Sequence, residues 1–295
     1  MKDRQRKQQT KLKRQNIEEH VRAIVFIYVS LLVFFYTVIF DGKTYMPADT
    51  IASHSWETLI NDAKTEGIYP LWNKYIFCGM PTLGSATIDP VMNWYDDIPL
   101  WTWGRIKLGM TYLFFRANEA DYFVLYLLYG IGMYLFAFSK IKNKMIALVV
   151  ALAGICSART ILLVMIGHYT KLAVMAWIPF LFLVLDKIWQ DKLQGKRNWI
   201  FLTLTLALII RLMTAPMHLQ FVYYAYMALG IYFIVFFIQA FRNKEKEKIK
   251  SLSAGMGSLA IATILAMAMG ATQWLSVKEY QEYSIRGSNK IERTE

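Results

Sequence analysis

Long apolar runs are the feature that most constrains what this chain can fold into. Several of them continue for some twenty residues with almost no charged side chain, which is the length that an α-helix needs to cross a bilayer. A transmembrane β-barrel would instead require short segments of alternating polarity, and none are found in the sequence. With 56% hydrophobic residues in addition, the chain is predicted to be an all-α polytopic membrane protein.

The apolar runs predict about seven transmembrane helices. These are Arg22–Phe40, Ala120–Phe138, a third that starts at Met145, Leu172–Trp189, Trp199–Thr214, Leu219–Phe241 and Ser251–Trp274. The third is interrupted near Arg159, so residues 158–171 are interpreted as a connection at the membrane surface, and Pro179 predicts a kink in the fourth.

The predicted spans divide the chain into five parts. They are a basic arm (1–21), the first transmembrane helix (22–40), a long loop (41–118), six further transmembrane helices (119–274) and a polar tail (275–295). The first fourteen residues of the arm are interpreted as a solvated segment without fixed structure.

The basic residues are distributed as in a membrane protein rather than a nucleic-acid-binding protein, in spite of a net charge of +12. The arm and the turns at 139–144, 186–198 and 242–250 hold 7, 3, 4 and 5 lysine or arginine residues, whereas the long loop holds 6. By the positive-inside rule, the N-terminus is predicted to be cytoplasmic, and the long loop and the tail extracytoplasmic. No nucleic-acid partner is expected.

The long loop is where the polar chemistry of the chain is concentrated. Residues 41–116 hold eight of the 21 carboxylates and five of the nine tryptophans. Within the loop, Ile98–Phe115 fits a helix that lies in the outer membrane interface, and Thr50–Ala63 fits a short helix with Asp49 as its N-cap. Cys78 and Cys156 give no disulfide framework, so two free thiols are favoured over a bridge between them.

Four motifs resemble, in order, those of the bacterial YfhO membrane-protein family. The main one is PLWNKYIFCGMPTL at 70–83, and the others are GKTYMPADT at 42–50, GHYTKLAVMAWIP at 167–179 and APMHLQ at 215–220, with EYSIRG at 282–287 as a weaker addition. The resemblance extends over residues 40–287. Ala48, Lys74, Cys78, Met217 and Leu219 stand where the family pattern has other residues.

The resemblance implies a GT-C-like membrane glycosyltransferase of the bacterial plasma membrane. Such an enzyme takes a sugar from a polyprenyl-phosphate donor and transfers it to a glycopolymer or lipid acceptor on the extracytoplasmic face. Family members are longer, so the resemblance also implies that this chain is the N-terminal portion of a longer protein. The alternative functions are a transporter or flippase of lipid-linked sugars, and a scaffold subunit of a cell-envelope assembly complex.

The predicted catalytic carboxylates are Asp49 and Asp41, since sugar transfer needs a base for the acceptor hydroxyl or a metal ligand. For Asp49 the alternative is a purely structural N-cap, and for Asp41 a solvated residue at the end of a span. Asp49, Asp96 and Asp97 are the candidate ligands of a divalent cation such as Mg²⁺ or Mn²⁺. The alternative for Asp96 and Asp97 is an exposed acidic pair.

The predicted phosphate-binding residues lie at the outer turns between spans. They are His168, Lys171, His218, Gln220 and Arg159, and each of them alone would also suit a polar residue among lipid headgroups. Arg211 is predicted to be an anchor whose long side chain reaches the headgroups.

In the loop, Trp72, Asn73 and Tyr75 are candidates for stacking on a sugar and hydrogen-bonding to it. The alternative is that the loop packs on its own aromatic side chains.

Overall fold

A computed structural model describes residues 2–45, 47–68, 72–75, 78–82 and 97–282 of the chain. The side chains of residues 2–14 and 48–55 lie outside that description, as do Asp96 and the 283–295 part of the tail.

The described residues are mainly helical. In chain order the helices are α1 (Lys2–Phe34), α2 (Tyr36–Ile39), α3 (Ala48–Glu66), α4 (Ile98–Met110), α5 (Ala120–Ile141), α6 (Lys144–Ile155), α7 (Ala158–Ile166), α8 (Tyr169–Leu193), α9 (Trp199–Thr214), α10 (Leu219–Arg242), α11 (Lys246–Met269) and α12 (Ala271–Gln281). A 3-10 helix, Thr111–Phe114, follows α4, and the two-residue strands β1 (Trp72–Asn73) and β2 (Met80–Pro81) pair in antiparallel fashion.

Five of the described helical segments are long and apolar enough to cross a membrane. They are α5, the segment Lys144–Ile166 formed by α6 and α7, α8, α10 and α11, and the shorter α9 is also apolar. The prediction of a multi-pass helical membrane protein is therefore confirmed in outline.

Three predictions about local structure were wrong. The basic arm is helical, because α1 runs without a break from Lys2 to Phe34. The helix α3 begins at Ala48 with Pro47 as its N-cap, so Asp49 is the second helical residue and not the cap. Residues 158–166 form α7 rather than a connection, because the Ser157 side chain caps the helix by accepting a hydrogen bond from Thr160 N–H.

The helices pack around two hydrophobic clusters that share α8. The first joins α1, α5, α6 and α7 to the start of α8, and includes the fully buried Phe123 and Tyr126. The second joins the rest of α8 to α9, α10 and α11. Close approach between α5 and α8 depends on Gly132, where an added Cβ would lie 2.7 Å from the Phe180 ring.

Basic residues gather at one end of the bundle, which we call the basic end. Here Lys144 on α6 pairs with Glu19 on α1 at 2.5 Å. Lys140 on α5 pairs with the buried Asp186 of α8, which also accepts a 2.8 Å hydrogen bond from Tyr232 of α10. The opposite end, which carries the 41–116 loop and the turns at His168 and His218, is called the loop end.

The contact between α8 and α11 leaves no room at Gly255. A Cβ added there would lie 1.9 Å from Trp189 Nε1, and Trp189 is itself stacked on Tyr232 and buried. Gly257 lies on the same helix with no atom within 4 Å of its Cβ position.

We expect Gly255→Ala to destabilise the chain by about 1–3 kcal/mol, the usual cost of overpacking. Gly257→Ala should be neutral, or stabilising by up to about 1 kcal/mol, because alanine is the better helix former. Unfolding of the two purified variants in mixed micelles measures the difference. Equal stabilities would contradict the close packing of α8 on α11.

Candidate anion site at the loop end

Two turns bring cationic side chains together at the loop end. Between α7 and α8, Gly167 adopts the left-handed conformation (φ 88°), and His168 then becomes the N-cap residue of α8. Between α9 and α10, Met217 is left-handed (φ 55°), and His218 is the N-cap residue of α10. The turns touch where Thr170 Oγ1 lies 3.5 Å from His218 Nδ1.

His218 is the centre of this cluster of positive charge. Its pKa is lowered from the usual 6.5, first by burial and then by the positive charges of Lys171 and His168. Its Nε2 atom is buried and has no hydrogen-bond partner among the described residues. The Phe221 ring packs at 5.4 Å against the imidazole, and the Arg159 guanidinium lies 5.8 Å from that ring.

Four of the predicted phosphate-binding residues are therefore brought to one place, which we call the anion site: Arg159, His168, Lys171 and His218. Mutual repulsion among such groups is relieved when an anion binds between them, so the cluster suits a phosphate group. Gln220 is not seen to join it, because its amide donates to Tyr224 Oη at 2.7 Å along α10.

The pKa of His218 gives a direct test of the anion site. Lys171→Gln is expected to raise that pKa towards 6.5, because one of the charges that lowers it is removed. A matched control is Lys250→Gln, which removes an exposed charge on α11 at the basic end and should leave the pKa unchanged. Titration of the imidazole resonances by NMR measures both, and an unchanged pKa in Lys171→Gln would separate Lys171 from the site.

The sign of the accompanying stability change follows from the lowered pKa. As the pH falls below 6.5, the unfolded chain takes up a proton on His218 before the folded chain does, so His218 makes the folded state less stable there. Above 6.5 both states are neutral at this position and the effect disappears.

The β1–β2 hairpin is shaped by its own contacts. Trp72 covers Gly79, where a Cβ would lie 2.5 Å from the indole nitrogen and where φ is +115°. The Asn73 side chain is buried and accepts a 2.9 Å hydrogen bond from Tyr75 N–H, and Tyr75 Oη donates to Asp62 of α3 at 2.7 Å. These contacts match the self-packing alternative, although Trp72 stays 57% exposed and open to a ligand.

The candidate catalytic carboxylates occupy different settings. Asp41 is exposed just beyond α2. Asp49 lies in the first turn of α3, and α3 packs against α7, the helix that carries Arg159. The Asp49 side chain lies outside the described residues.

The prediction of Asp97 as a metal ligand is not supported, because its carboxylate is already engaged. Asp97 is 7% exposed, accepts a 3.0 Å hydrogen bond from Leu100 N–H as the N-cap of α4, and pairs with Arg211. In the part of the chain that the structure describes, no three His, Cys, Asp or Glu side chains are grouped for a metal ion. Asp96 lies outside that part.

Arg211 was wrongly predicted to reach the lipid headgroups. It is 2% exposed near the end of α9, and its Nε donates to Asp97 Oδ2 at 2.6 Å. Both terminal nitrogens donate to Gln273 of α12 at 3.3 Å. The sequence contained a signal for this pairing. Arg211 lies inside a span of only sixteen residues, and an arginine buried there requires a carboxylate partner.

The helix α4 contacts α5, α8 and α9 at the loop end, and its location in the membrane interface stays a prediction. Trp103 meets Trp177 of α8 edge to face at 5.0 Å. Lys107 donates to Tyr169 Oη at 2.7 Å and to Asp121 of α5 at 3.1 Å. Burial opposes the charge of Lys107, but Tyr169 and Asp121 outweigh it and raise the pKa of the lysine.

An apolar groove of about 720 Å³ lies between α10 and α11. It extends along α10 from Tyr226 to Ile238, and its lining is almost entirely hydrocarbon and aromatic. At one end, Tyr226 Oη and Thr263 Oγ1 share a 2.7 Å hydrogen bond. The groove is therefore suited to a flexible hydrocarbon chain.

Together these features define a class, a helical multi-pass membrane protein with a cationic site at one end of its bundle. Comparisons with protein-family models, with curated proteins and with solved structures found no match for the chain.

Proposed function

We propose that this chain is part of a YfhO-like, GT-C-type membrane glycosyltransferase. It transfers a sugar from a polyprenyl-phosphate donor to a glycopolymer or lipid at the extracytoplasmic face of the bacterial plasma membrane. In this proposal the chain crosses the membrane seven times, with its N-terminus in the cytoplasm and its loop end outside. The observation that carries the proposal is the meeting of His168, Lys171 and His218 at the end of the bundle that carries the acid- and tryptophan-rich loop.

The anion site supplies the part of the reaction that needs positive charge. The acceptor oxygen forms a bond to the anomeric carbon, and the bond from that carbon to the phosphate oxygen breaks. Negative charge then grows on the departing polyprenyl phosphate, where Lys171, Arg159 and the two histidines stabilise it. The proton of the acceptor hydroxyl passes to a carboxylate, for which Asp49 is the first candidate and Asp41 the second.

The loop hairpin and the groove hold the two ends of the donor. The exposed faces of Trp72 and Tyr75 suit stacking on the sugar. The groove begins at Tyr226, eight residues or about 12 Å along α10 from His218, so a phosphate at the anion site places its isoprenoid tail within reach of the groove.

The test is a transfer assay with the chain in liposomes that contain a radiolabelled polyprenyl-phosphate sugar. Lys171→Gln is expected to lower the transfer rate about tenfold, the effect of losing one charge-assisted phosphate contact. The exposed Lys250→Gln at the basic end serves as the control and should leave the rate unchanged. Equal rates in both variants would overturn the proposal.

One observation favours the alternative of a transporter of lipid-linked sugars. Asp186 is buried inside α8, seven residues before its end, and is bridged to Lys140 and Tyr232. Buried ionisable groups within spans are typical of transport pathways. If Asp186→Asn abolished movement of a fluorescent lipid-linked sugar across liposomes while no transfer occurred, the transporter would replace the enzyme.

A further inference from the structure

We propose that the Asp97–Arg211 pair is a positioning element that anchors α4 across the loop end and thereby sets the first turn of α8. The last step, from α8 to phosphate binding, rests on the proposed function. The anchoring step does not.

The Asp97–Arg211 pair is a buried contact rather than a surface ion pair. Both side chains are less than a tenth exposed, and they join α4 to α9 over 114 positions of sequence. The guanidinium is enclosed further by α12 and the end of α11. Gln273 accepts from both of its terminal nitrogens, and a Cβ added at Gly270 would lie 2.9 Å from Arg211 Cζ.

The helix α4 depends on such polar contacts because its own residues add little to a hydrophobic core. None of its residues is buried, and Ile98, Ile106 and Leu108 are about half exposed. It is held near its N-terminus by Asp97 and, about 15 Å further along, by Lys107. Apart from the edge-to-face contact of Trp103 with Trp177, these two polar contacts fix α4 to the bundle, so the loss of either of them weakens its attachment.

The second fixed point is also the connection to the anion site. Lys107 donates to Tyr169 Oη, and Tyr169 is the first residue of α8, between His168 and Thr170. Thr170 in turn contacts His218. Displacement of α4 therefore removes a support from the turn that carries His168 and Lys171.

The anchoring step is tested by hydrogen exchange on the whole chain in lipid nanodiscs. Asp97→Asn removes the charge but keeps a side-chain oxygen that can cap α4, so only the ion pair is lost. Amides of residues 101–110 should exchange about 100-fold faster, the population change expected when a buried pair loses one charge. The matched control is Asp62→Asn, the same substitution in the same loop, which removes the charge of the carboxylate that accepts from Tyr75 without touching α4.

The positioning step is tested with inorganic pyrophosphate as the probe. In the unaltered chain, bound pyrophosphate should raise the pKa of His218, and the concentration that gives half of the shift measures affinity. Asp97→Asn should raise that concentration about tenfold, Asp62→Asn should leave it unchanged, and Arg211→Lys should preserve more affinity than Arg211→Gln because it retains the charge. Unchanged amides in α5 show that the bundle is intact.

The outcomes separate the two steps. If residues 101–110 exchange equally fast in Asp97→Asn and in the unaltered chain, the anchor is disproved. If α4 loosens while pyrophosphate affinity stays the same, Asp97 and Arg211 are not positioning residues. If the unaltered chain does not respond to pyrophosphate, the proposed function fails, and the exchange data still decide whether the pair anchors α4.

Discussion

Replacement of Arg211 by methionine is expected to destabilise the chain by about 3–5 kcal/mol. The methionine fills a similar space in α9, but the carboxylate of Asp97 stays buried without its counter-ion. Gln273 also loses the donors that its carbonyl oxygen accepts from. Equilibrium unfolding in mixed detergent micelles, followed by circular dichroism, measures the change.

The double variant Arg211→Met, Asp97→Asn shows how much of the loss of stability comes from the unpaired charge of Asp97. With no charge left behind, the two substitutions together should cost clearly less than the sum of the single ones. Arg105→Met is the control, since Arg105 is exposed on α4 and its loss should change stability by no more than about 0.5 kcal/mol. Additive costs for the buried pair would mean that Asp97 and Arg211 do not interact.

Asp49→Asn is expected to lower sugar transfer by about 10²–10⁴-fold, the usual contribution of a general base. The asparagine has the same shape but cannot accept the proton of the acceptor hydroxyl. The prediction depends on the resemblance of residues 42–50 to the YfhO family motif, and on the packing of α3 against α7. The initial rate of transfer at saturating donor is the quantity to measure.

A suitable control lies at the other end of the same helix. Glu66 is exposed in the last turn of α3, and Glu66→Gln should transfer at the normal rate. Binding of the polyprenyl-phosphate donor should be the same in both variants, because Asp49 is assigned to the acceptor side of the reaction. Normal transfer by Asp49→Asn would exclude Asp49 as the base and leave Asp41 to be tested in the same way.

The predictable parts of this fold are those that depend on the pattern of apolar residues along a short stretch of the chain. Apolar runs of about twenty residues mark α5, α8, α10 and α11 within a few residues of their observed ends. The meeting of His168 and His218 was also predictable. Counting the spans places the two turns that carry these residues on the same face of the membrane.

What the sequence did not reveal depends on contacts between distant residues. The sequence predicted Asp97 as a metal ligand, with half of an exposed acidic pair as the alternative, and only the fold places Arg211 beside it. From the sequence, Asp186 was counted in the basic turn at 186–198, and its enclosure by Lys140 and Tyr232 requires three helices to be in place. The prediction of Asp49 as an N-cap was also wrong, because Pro47 is the extended N-cap residue and the helix α3 begins at Ala48.

The Trp189 indole packs directly against Gly255, and this contact limits how the helices can move. Sliding or rotation of α11 along α8 would push the Trp189 ring into the backbone of α11. These two helices are therefore expected to move together as one rigid body. Helix α10 is held to the same pair of helices, because Tyr232 stacks on Trp189 and donates a hydrogen bond to Asp186, and Tyr226 shares a hydrogen bond with Thr263 of α11. The groove between α10 and α11 is therefore a fixed feature of the bundle, and a hydrocarbon tail would enter it from the bilayer without a swing of α10.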